Sequence, residues 1–139
     1  MNDADLNKAM AGQDAVFAAL SGNLGAYAEK IVAAMDRNHV SRLVFITSMG
    51  IYDEIPASVG ASGNLSSNPV LQTYRDAADV IEASDLNYTI VRPGWFTGGP
   101  VNYEVTRKGW SRRFGKFNCW YCDEVGRWRH PVFQGQYRC

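Results

Sequence analysis

The chain has 139 residues, of which 46% are apolar and 20% charged, a balance that excludes a disordered polypeptide and fits one packed domain. No apolar run approaches the roughly 20 residues that span a bilayer, and the amino end lacks the basic start and apolar core of a signal peptide. We therefore expect a cytoplasmic protein with no membrane partner.

The formal net charge is 0, but residues 1–106 carry twelve acidic and six basic side chains, whereas residues 107–139 carry two acidic and eight basic ones. This asymmetry predicts two regions, an α/β domain over 1–106 and a basic tail over 107–139.

The first part of the chain has the pattern of alternating strands and helices. Apolar residues at helical spacing before a glycine predict a short helix that ends near residue 12. Residues 14–20 form a brief apolar run typical of a strand that is buried on both faces. Residues 24–40 repeat apolar side chains on one stripe, as in an amphipathic helix, and residues 42–48 form a second apolar strand. The pattern predicts a β-α-β unit.

A long loop and a second crossover helix follow. Residues 51–68 are rich in Gly, Ser, Asn and Pro and have no period, which predicts a loop. Asn68-Pro69 has the character of a helix start, and the apolar stripe after it includes Val70. A third apolar strand covers about 88–92.

This alternation favours a partial parallel sheet with flanking helices. In open parallel sheets, ligands bind beyond the carboxyl ends of the strands. The three loops at that edge begin at Ser21, Ser48 and Pro93. The sequence therefore predicts a binding site where these loops meet.

Three stretches carry a resemblance to a known family. They read AGQDAVFAALSGN, VFITSMGIY and QTYRDAADVIEASDLNYTIVRPGWFTGG, and together they cover about residues 3–106. In order and spacing they resemble the atypical short-chain dehydrogenase/reductases, in particular the NmrA-like NAD(P)H-binding proteins. The resemblance implies a Rossmann-type fold, NADP or NAD as cofactor, and a parent activity as an oxidoreductase on a small organic substrate such as a carbonyl compound.

The resemblance also implies roles for individual residues. Ser48 and Tyr74 match the serine and tyrosine that, in active members, hydrogen-bond and protonate a substrate carbonyl. Pro93-Gly94 matches the turn that packs against the nicotinamide, where a glycine leaves room for a flat ring. The residues that the resemblance places beside the cofactor are Ser21, Gly22, Asn23, Thr47, Ser48, Arg92, Pro93, Gly94, Trp95 and Phe96.

The sequence departs from the family pattern at the tyrosine. Active members have a lysine four residues later, where this chain has Ala78. Without that cation the phenol stays near its reference pKa of about 10 and is a poor proton shuttle at neutral pH. Arg75 is a substitute cation only in some rotamers. We predict that Tyr74→Phe barely alters any activity, and plain structural roles for Ser48 as a cap and Tyr74 as a core residue stay open.

A second departure concerns the phosphates of the cofactor. No glycine-rich turn of the G-x-x-G-x-x-G or G-x-G-x-x-G type precedes residue 14, so the first three family strands are expected to be missing and the chain to be a fragment. Weak or absent cofactor binding is the corresponding prediction. The strand at 14–20 would then expose an apolar edge that favours self-association or the binding of another partner.

The tail gives a third group of hypotheses. Residues 107–139 have no sustained helical or strand period and cluster Arg, Trp and Cys, as an out-of-frame sequence after Gly109 would, so we predict an irregular segment. An alternative is zinc bound by Cys119, Cys122, His130 and Cys139, or nucleic acid bound by the basic side chains. The spacing favours neither, and we predict no metal site.

Overall fold

A computed structural model describes residues 1–94, 104–106 and 118–122. Within them, three helices and five strands follow one another along the chain. The helices are α1 (Asp3–Met10), α2 (Leu24–Arg37) and α3 (Gln72–Glu82), and short 3-10 helices cover Ala61–Gly63 and Pro69–Leu71. The strands are β1 (Ala15–Ala18), β2 (Arg42–Ile46), β3 (Asn87–Pro93), β4 (Glu104–Thr106) and β5 (Asn118–Cys122).

The strands form one sheet in the order β1-β2-β3-β5-β4. The first three are parallel, with Val16 opposite Leu43 and Leu43 opposite Tyr88. Helices α2 and α3 are the crossovers between them, as a parallel pair requires. The predicted Rossmann-like α/β fold is confirmed. Strand β1 is three residues shorter than the predicted 14–20, β2 is two residues shorter than 42–48, and β3 is one residue longer at each end than 88–92.

The core lies between one face of the sheet and the helices. Leu43, Phe45 and Ile90 are fully buried and belong to one hydrophobic cluster with the buried residues of α2 and α3. These three side chains lie on the same face because successive residues of a strand alternate between faces. The apolar stripes of the helices supply the other half of the cluster. The sequence pattern thus places the core correctly.

Two exposures differ from the sequence expectations. Strand β1 is not buried on both faces, because it is an outer strand of the described sheet and Phe17 is 46% exposed. Val70, assigned to the apolar stripe of the crossover helix, is 73% exposed. Val70 lies in the 3-10 turn before α3. The rotation per residue in such a turn differs from that of an α-helix, so the α-helical spacing does not apply.

The basic tail contains regular structure where an irregular segment was predicted. Residues Asn118–Cys122 form β5, which pairs antiparallel with β3 and places the backbone of Tyr121 opposite Val91. Strand β4 pairs parallel with β5. Hydrogen bonding to an existing strand gives β5 its conformation, and a search for internal periodicity cannot detect that kind of stabilisation. The division of the chain at residue 106 stays a prediction.

No helix in the described part of the chain is long and apolar enough to cross a membrane.

Candidate functional site at the carboxyl ends of β2 and β3

Strands β2 and β3 remain hydrogen-bonded beyond the end of β2. The Thr47 N–H donates to the Val91 carbonyl at 2.8 Å, and the Met49 N–H donates to the Pro93 carbonyl at 3.0 Å. These bonds extend the parallel pairing by three residues. Ser48 is therefore held beside Pro93-Gly94, as the position of the loops in the sequence predicts.

A cleft of about 90 Å³ opens at this place. It contains Ser48, Pro93 and Gly94 from the predicted site, and none of its described lining residues is charged. Apolar side chains and backbone form most of its wall. The lining residues are Ser48, Met49, Ile55, Gly63, Asn68, Leu71, Pro93 and Gly94. Small residues at the ends of the strands and an uncharged wall suit a flat, neutral ring.

The two hydroxyl residues that directly follow β2, Thr47 and Ser48, differ in their surroundings. Thr47 is 3% exposed, and its Oγ1 donates to the Val91 carbonyl at 3.3 Å. Its side chain is thus part of the contact between β2 and β3. Ser48 is half-buried and lines the cleft, where its Oγ donates to the Met49 carbonyl at 3.1 Å. A hydroxyl oxygen that donates one bond keeps its acceptor capacity, so Ser48 can also bind a donor in the cleft.

The loop between Gly50 and Asn68 forms the other wall of the cleft. Gly50 has φ +91°, and a Cβ at this residue would lie 2.1 Å from the Gly63 carbonyl oxygen. The Leu65 N–H donates to the Gly50 carbonyl at 2.9 Å. The buried Asn64 side chain bonds both the N–H and the carbonyl of Ile55, at 2.9 and 2.8 Å. The loop that has no period in the sequence is therefore folded around buried polar contacts.

Ser21, Gly22 and Asn23 do not line this cleft. All three are exposed, and the Asn23 side chain accepts a hydrogen bond from the Ala26 N–H as the N-cap of α2. The Leu24 N–H donates to Thr73 Oγ1 at 2.8 Å, and this hydroxyl donates to the Gly22 carbonyl at 2.9 Å. The structure thus places this loop as a contact between α2 and α3, and its contact with a cofactor stays a prediction.

The start of α2 is a poor phosphate site. Phosphate binding at a helix start requires amides that point to open space. Here the Leu24 and Ala26 amides are bonded to side chains, and a Cβ at Gly25 would lie 2.9 Å from the Asp76 Cβ. An aspartate so close to the helix start also disfavours an anion. The described residues at this helix therefore do not fit a pyrophosphate.

Tyr74 is not among the described lining residues of the cleft, and its catalytic role stays a prediction. Its half-buried ring packs against the hydrophobic core cluster and is not part of the cleft wall. Ala78 is fully buried four residues later. Arg75 pairs with Asp79 at 2.7 Å, and this hydrogen bond raises the pKa of the guanidinium. Arg75 is thus paired with a side chain of its own helix, and its use as a substitute for the missing lysine stays a prediction.

Arg92 occupies a different environment from Pro93 and Gly94. Its side chain is 1% exposed, lies outside the cleft wall, and forms an ion pair with Glu54. A direct contact with the cofactor stays a prediction. Trp95, Phe96, His130 and Cys139 lie outside the described residues, as does the chain around Gly109.

Sequence reasoning missed five of the eight described residues of the cleft wall. Asn68 was interpreted as a helix start, yet it lines the cleft and makes no side-chain cap hydrogen bond. Ile55 and Leu71 reach the wall from the long loop and the 3-10 turn. The only signal in the sequence was the length of the loop, since long loops in compact domains are often functional.

Metal binding finds no support in the part of the chain that the structure describes. It contains no group of three or more His, Cys, Asp or Glu residues placed to hold an ion. Cys119 and Cys122 lie in β5. The zinc hypothesis also requires His130 and Cys139, which lie outside the described residues, so a site formed with Cys119 and Cys122 stays a hypothesis.

A parallel sheet with crossover helices and a cleft beyond its carboxyl edge defines the class of Rossmann-like nucleotide-binding proteins. The family model described as NAD(P)H-binding matches residues 1–116. The chain belongs to this NAD(P)H-binding family. The resemblance to the short-chain dehydrogenase/reductases that the sequence shows is confirmed at this level.

Solved structures give the same result. A Rossmann-fold NAD(P)-binding family protein from Shigella flexneri is 29% identical, with a TM-score of 0.59 over 94% of this chain and 70% of that one. A short-chain dehydrogenase/reductase from Veillonella parvula, solved in complex with NADP, is 24% identical, with a TM-score of 0.56 over 76% of this chain. The match spans 43% of the Veillonella chain, and at this identity it supports the fold alone. No curated protein matches the chain.

Proposed function

We propose that the cleft between β2, β3 and the loop Gly50–Asn68 binds the nicotinamide end of NADPH or NADH. The observation that carries the proposal is the juxtaposition of Ser48 with Pro93-Gly94, at the carboxyl ends of two parallel strands, in a cleft whose described lining residues are uncharged. Membership of the NAD(P)H-binding family supports the same ligand. A reduced nicotinamide, when bound, supplies a hydride.

Within the cleft, this chain's residues would bind and orient the ring. Gly94 lets the ring approach the backbone, and Met49, Ile55 and Leu71 give it an apolar wall that excludes water. Ser48 Oγ and the Asn68 carboxamide are polar groups of the described wall, and they offer hydrogen bonds to a neutral amide or carbonyl group. The described part of the wall, which has no charged side chain, suits a neutral group better than a charged one.

We propose weak affinity, because the contacts found concern one end of the nucleotide. The start of α2, where a phosphate could bind, is closed by Asn23, Thr73 and Asp76. A ligand held mainly through its ring forgoes the charge-assisted bonds of its phosphates. We expect a dissociation constant on the order of 1 mM for this chain.

A redox reaction on a small organic carbonyl compound is the finer part of the proposal. Short-chain dehydrogenase/reductases are typically oxidoreductases, and Ser48 in the cleft wall would donate to such a carbonyl once its hydroxyl hydrogen turns away from the Met49 carbonyl. The position of Tyr74 outside the cleft wall favours a proton source other than this phenol. The oxidation of NADPH with a panel of small aldehydes, ketones and quinones, followed by absorbance, tests this part.

Calorimetric titration with NADPH and with NADH tests the binding site. Ser48→Leu fills the cleft and should weaken binding at least tenfold, an effect of about 1.4 kcal/mol. Ser67→Leu makes the same change at an exposed position of the same loop, outside the cleft wall, and should bind as the wild type does. Equal affinities for all three proteins would refute the site, and micromolar affinity of the wild type would refute the expectation of weak binding.

We also propose self-association through the outer strand β1. Its position at the end of the described sheet and the 46% exposure of Phe17 support this second role, because an exposed apolar edge can pair with another chain. Sedimentation at rising protein concentration tests it. A dimer that Phe17→Lys abolishes would support the proposal, and a monomer at all concentrations would refute it.

A further inference from the structure

A buried ion pair joins β3 to the loop that forms one wall of the cleft. The guanidinium Nη1 of Arg92, near the end of β3, bonds Glu54 Oε1 at 2.5 Å. The two side chains are 1% and 11% exposed. Removing two charges from water is costly, and the attraction between them repays that cost only when the geometry is good and further hydrogen bonds are made.

Glu54 makes those further hydrogen bonds with its own loop. Its Oε1 accepts from the Gly50 N–H at 3.1 Å, and its Oε2 accepts from the Tyr52 N–H at 3.0 Å. One carboxylate thus joins two amides of the loop to an arginine of β3. The residues at either end of this segment, Met49 and Ile55, both line the cleft.

Tyr52 connects the same segment to α3. Its ring lies 4.8 Å from the Arg92 guanidinium carbon and 4.5 Å from that of Arg75. Its hydroxyl donates to Glu82 at the end of α3. Stacked guanidinium groups restrict the ring further. The loop segment is therefore fixed against both the sheet and the helix.

We propose that Glu54 and Arg92 are a positioning pair that fixes the segment Gly50–Ile55 and thereby the shape of the cleft. The sequence resemblance placed Arg92 beside the cofactor, whereas its burial and its bond to Glu54 assign it an indirect role. Neither residue is among the described lining residues of the cleft, so the pair would act through the segment that Glu54 holds. Its effect on ring binding rests on the proposed function, but its effect on the loop does not.

Hydrogen exchange at individual amides, read by NMR on the full chain, tests the pair without any ligand. In Glu54→Gln, the Gly50 and Tyr52 amides should exchange at least about tenfold faster relative to the core amides of β2, because a charged acceptor is lost. Glu29→Gln makes the same change on the exposed side of α2 and should leave both rates unchanged.

Glu54→Gln leaves the Arg92 charge buried and can prevent folding. The double variant Glu54→Leu/Arg92→Met removes both charges together, so it should fold while its Gly50 and Tyr52 amides still exchange faster. Uniform acceleration over all amides, or unchanged rates at these two, would refute the positioning role. Arg92→Lys, which keeps a donor for Glu54, should restore at least part of the protection that the double variant loses.

Calorimetry with NADPH on the same variants separates the two proposals. If the loop is loosened and the affinity falls at least threefold, both proposals stand. If the exchange rates change while the wild type binds no nucleotide, the positioning pair stands and the proposed function fails. If binding is intact and unchanged in the double variant, the pair does not shape the cleft and the inference is overturned.

Discussion

Two loop regions at the carboxyl edge of the sheet differ in what their hydrogen bonds connect. Between β2 and β3, backbone bonds continue past the strand ends, and a folded loop covers the junction. After the outer strand β1, residues 21–23 are exposed, and the Asn23 side chain caps the start of α2. Both regions were predicted from the sequence to contact the cofactor, and of the two only the first contributes residues to the described cleft.

The difference shows that an edge position in the fold does not by itself make a binding site. A loop at a carboxyl end becomes a site when its neighbours leave space and its polar groups are available. At β1 the amides and the Thr73 hydroxyl satisfy one another, so the loop is a helix contact. At β2 the bonds are made behind the cleft, by Glu54 and Asn64, and leave its surface open.

Two phenylalanines on neighbouring strands give the largest test of this comparison. Phe45 of β2 is fully buried, and Phe17 of β1 is 46% exposed. Phe45→Ala should lower the free energy of unfolding by about 3–5 kcal/mol, because it leaves a cavity in the core. Phe17→Ala should lower it by less than about 1 kcal/mol. Chemical denaturation measures both, and equal losses would show that β1 is as buried as β2.

Gly50→Ala tests the close approach inside the loop. The added Cβ would meet the Gly63 carbonyl oxygen at 2.1 Å, in a backbone conformation with φ +91° that disfavours a side chain. We expect a loss of about 3 kcal/mol in the free energy of unfolding. Gly12→Ala is the matched control, with φ +74° and open space around the Cβ, and should cost about 1 kcal/mol. If the two variants lose the same amount, the contact with Gly63 contributes nothing.

Thr73→Val tests the contact at the start of α2. Valine keeps the shape of the side chain but loses the bonds to the Leu24 N–H and the Gly22 carbonyl. A loss of about 1–2 kcal/mol in the free energy of unfolding is expected from two neutral bonds at a half-buried position. Exchange of the Leu24 amide should accelerate, whereas the NADPH affinity should not change. A marked loss of affinity would place the Ser21–Asn23 loop in the binding site after all.

The sequence predicted the parts of the fold that depend on local pattern. Apolar periodicity located α2 and β2 within a few residues, and the order of elements predicted the parallel sheet. The pattern did not predict which strand is outermost, because the residue types of β1 suit a buried strand as well as an exposed edge. It also could not predict β5, whose conformation depends on pairing with β3.

The candidate site, like the fold, was predictable where it depends on local pattern and on the order of the strands. Ser48, Pro93 and Gly94 follow strands, so topology alone brings them together. Asn68 and Ile55 reach the cleft only because Asn64 and Glu54 fold the loop behind them, and such long-range polar contacts have no signature in a single sequence. Arg92 follows the same rule, since it is next to the site in sequence but its burial and its ion pair with Glu54 could not be read from the pattern.

Tyr74→Phe should have the smallest effect of all and therefore separates two explanations of the tyrosine. The ring packs on the core cluster, so phenylalanine keeps its contacts, and the free energy of unfolding should change by less than about 0.5 kcal/mol. Nucleotide affinity and any reductase activity should also be unchanged, because the hydroxyl is not part of the cleft wall. Ser48→Ala is the informative partner variant, since it removes a hydroxyl that does line the cleft. A large loss of activity in Tyr74→Phe would mean that the tyrosine reaches the substrate by a movement of α3. A loss in Ser48→Ala alone would identify the serine as the hydroxyl group of the cleft that bonds to the substrate.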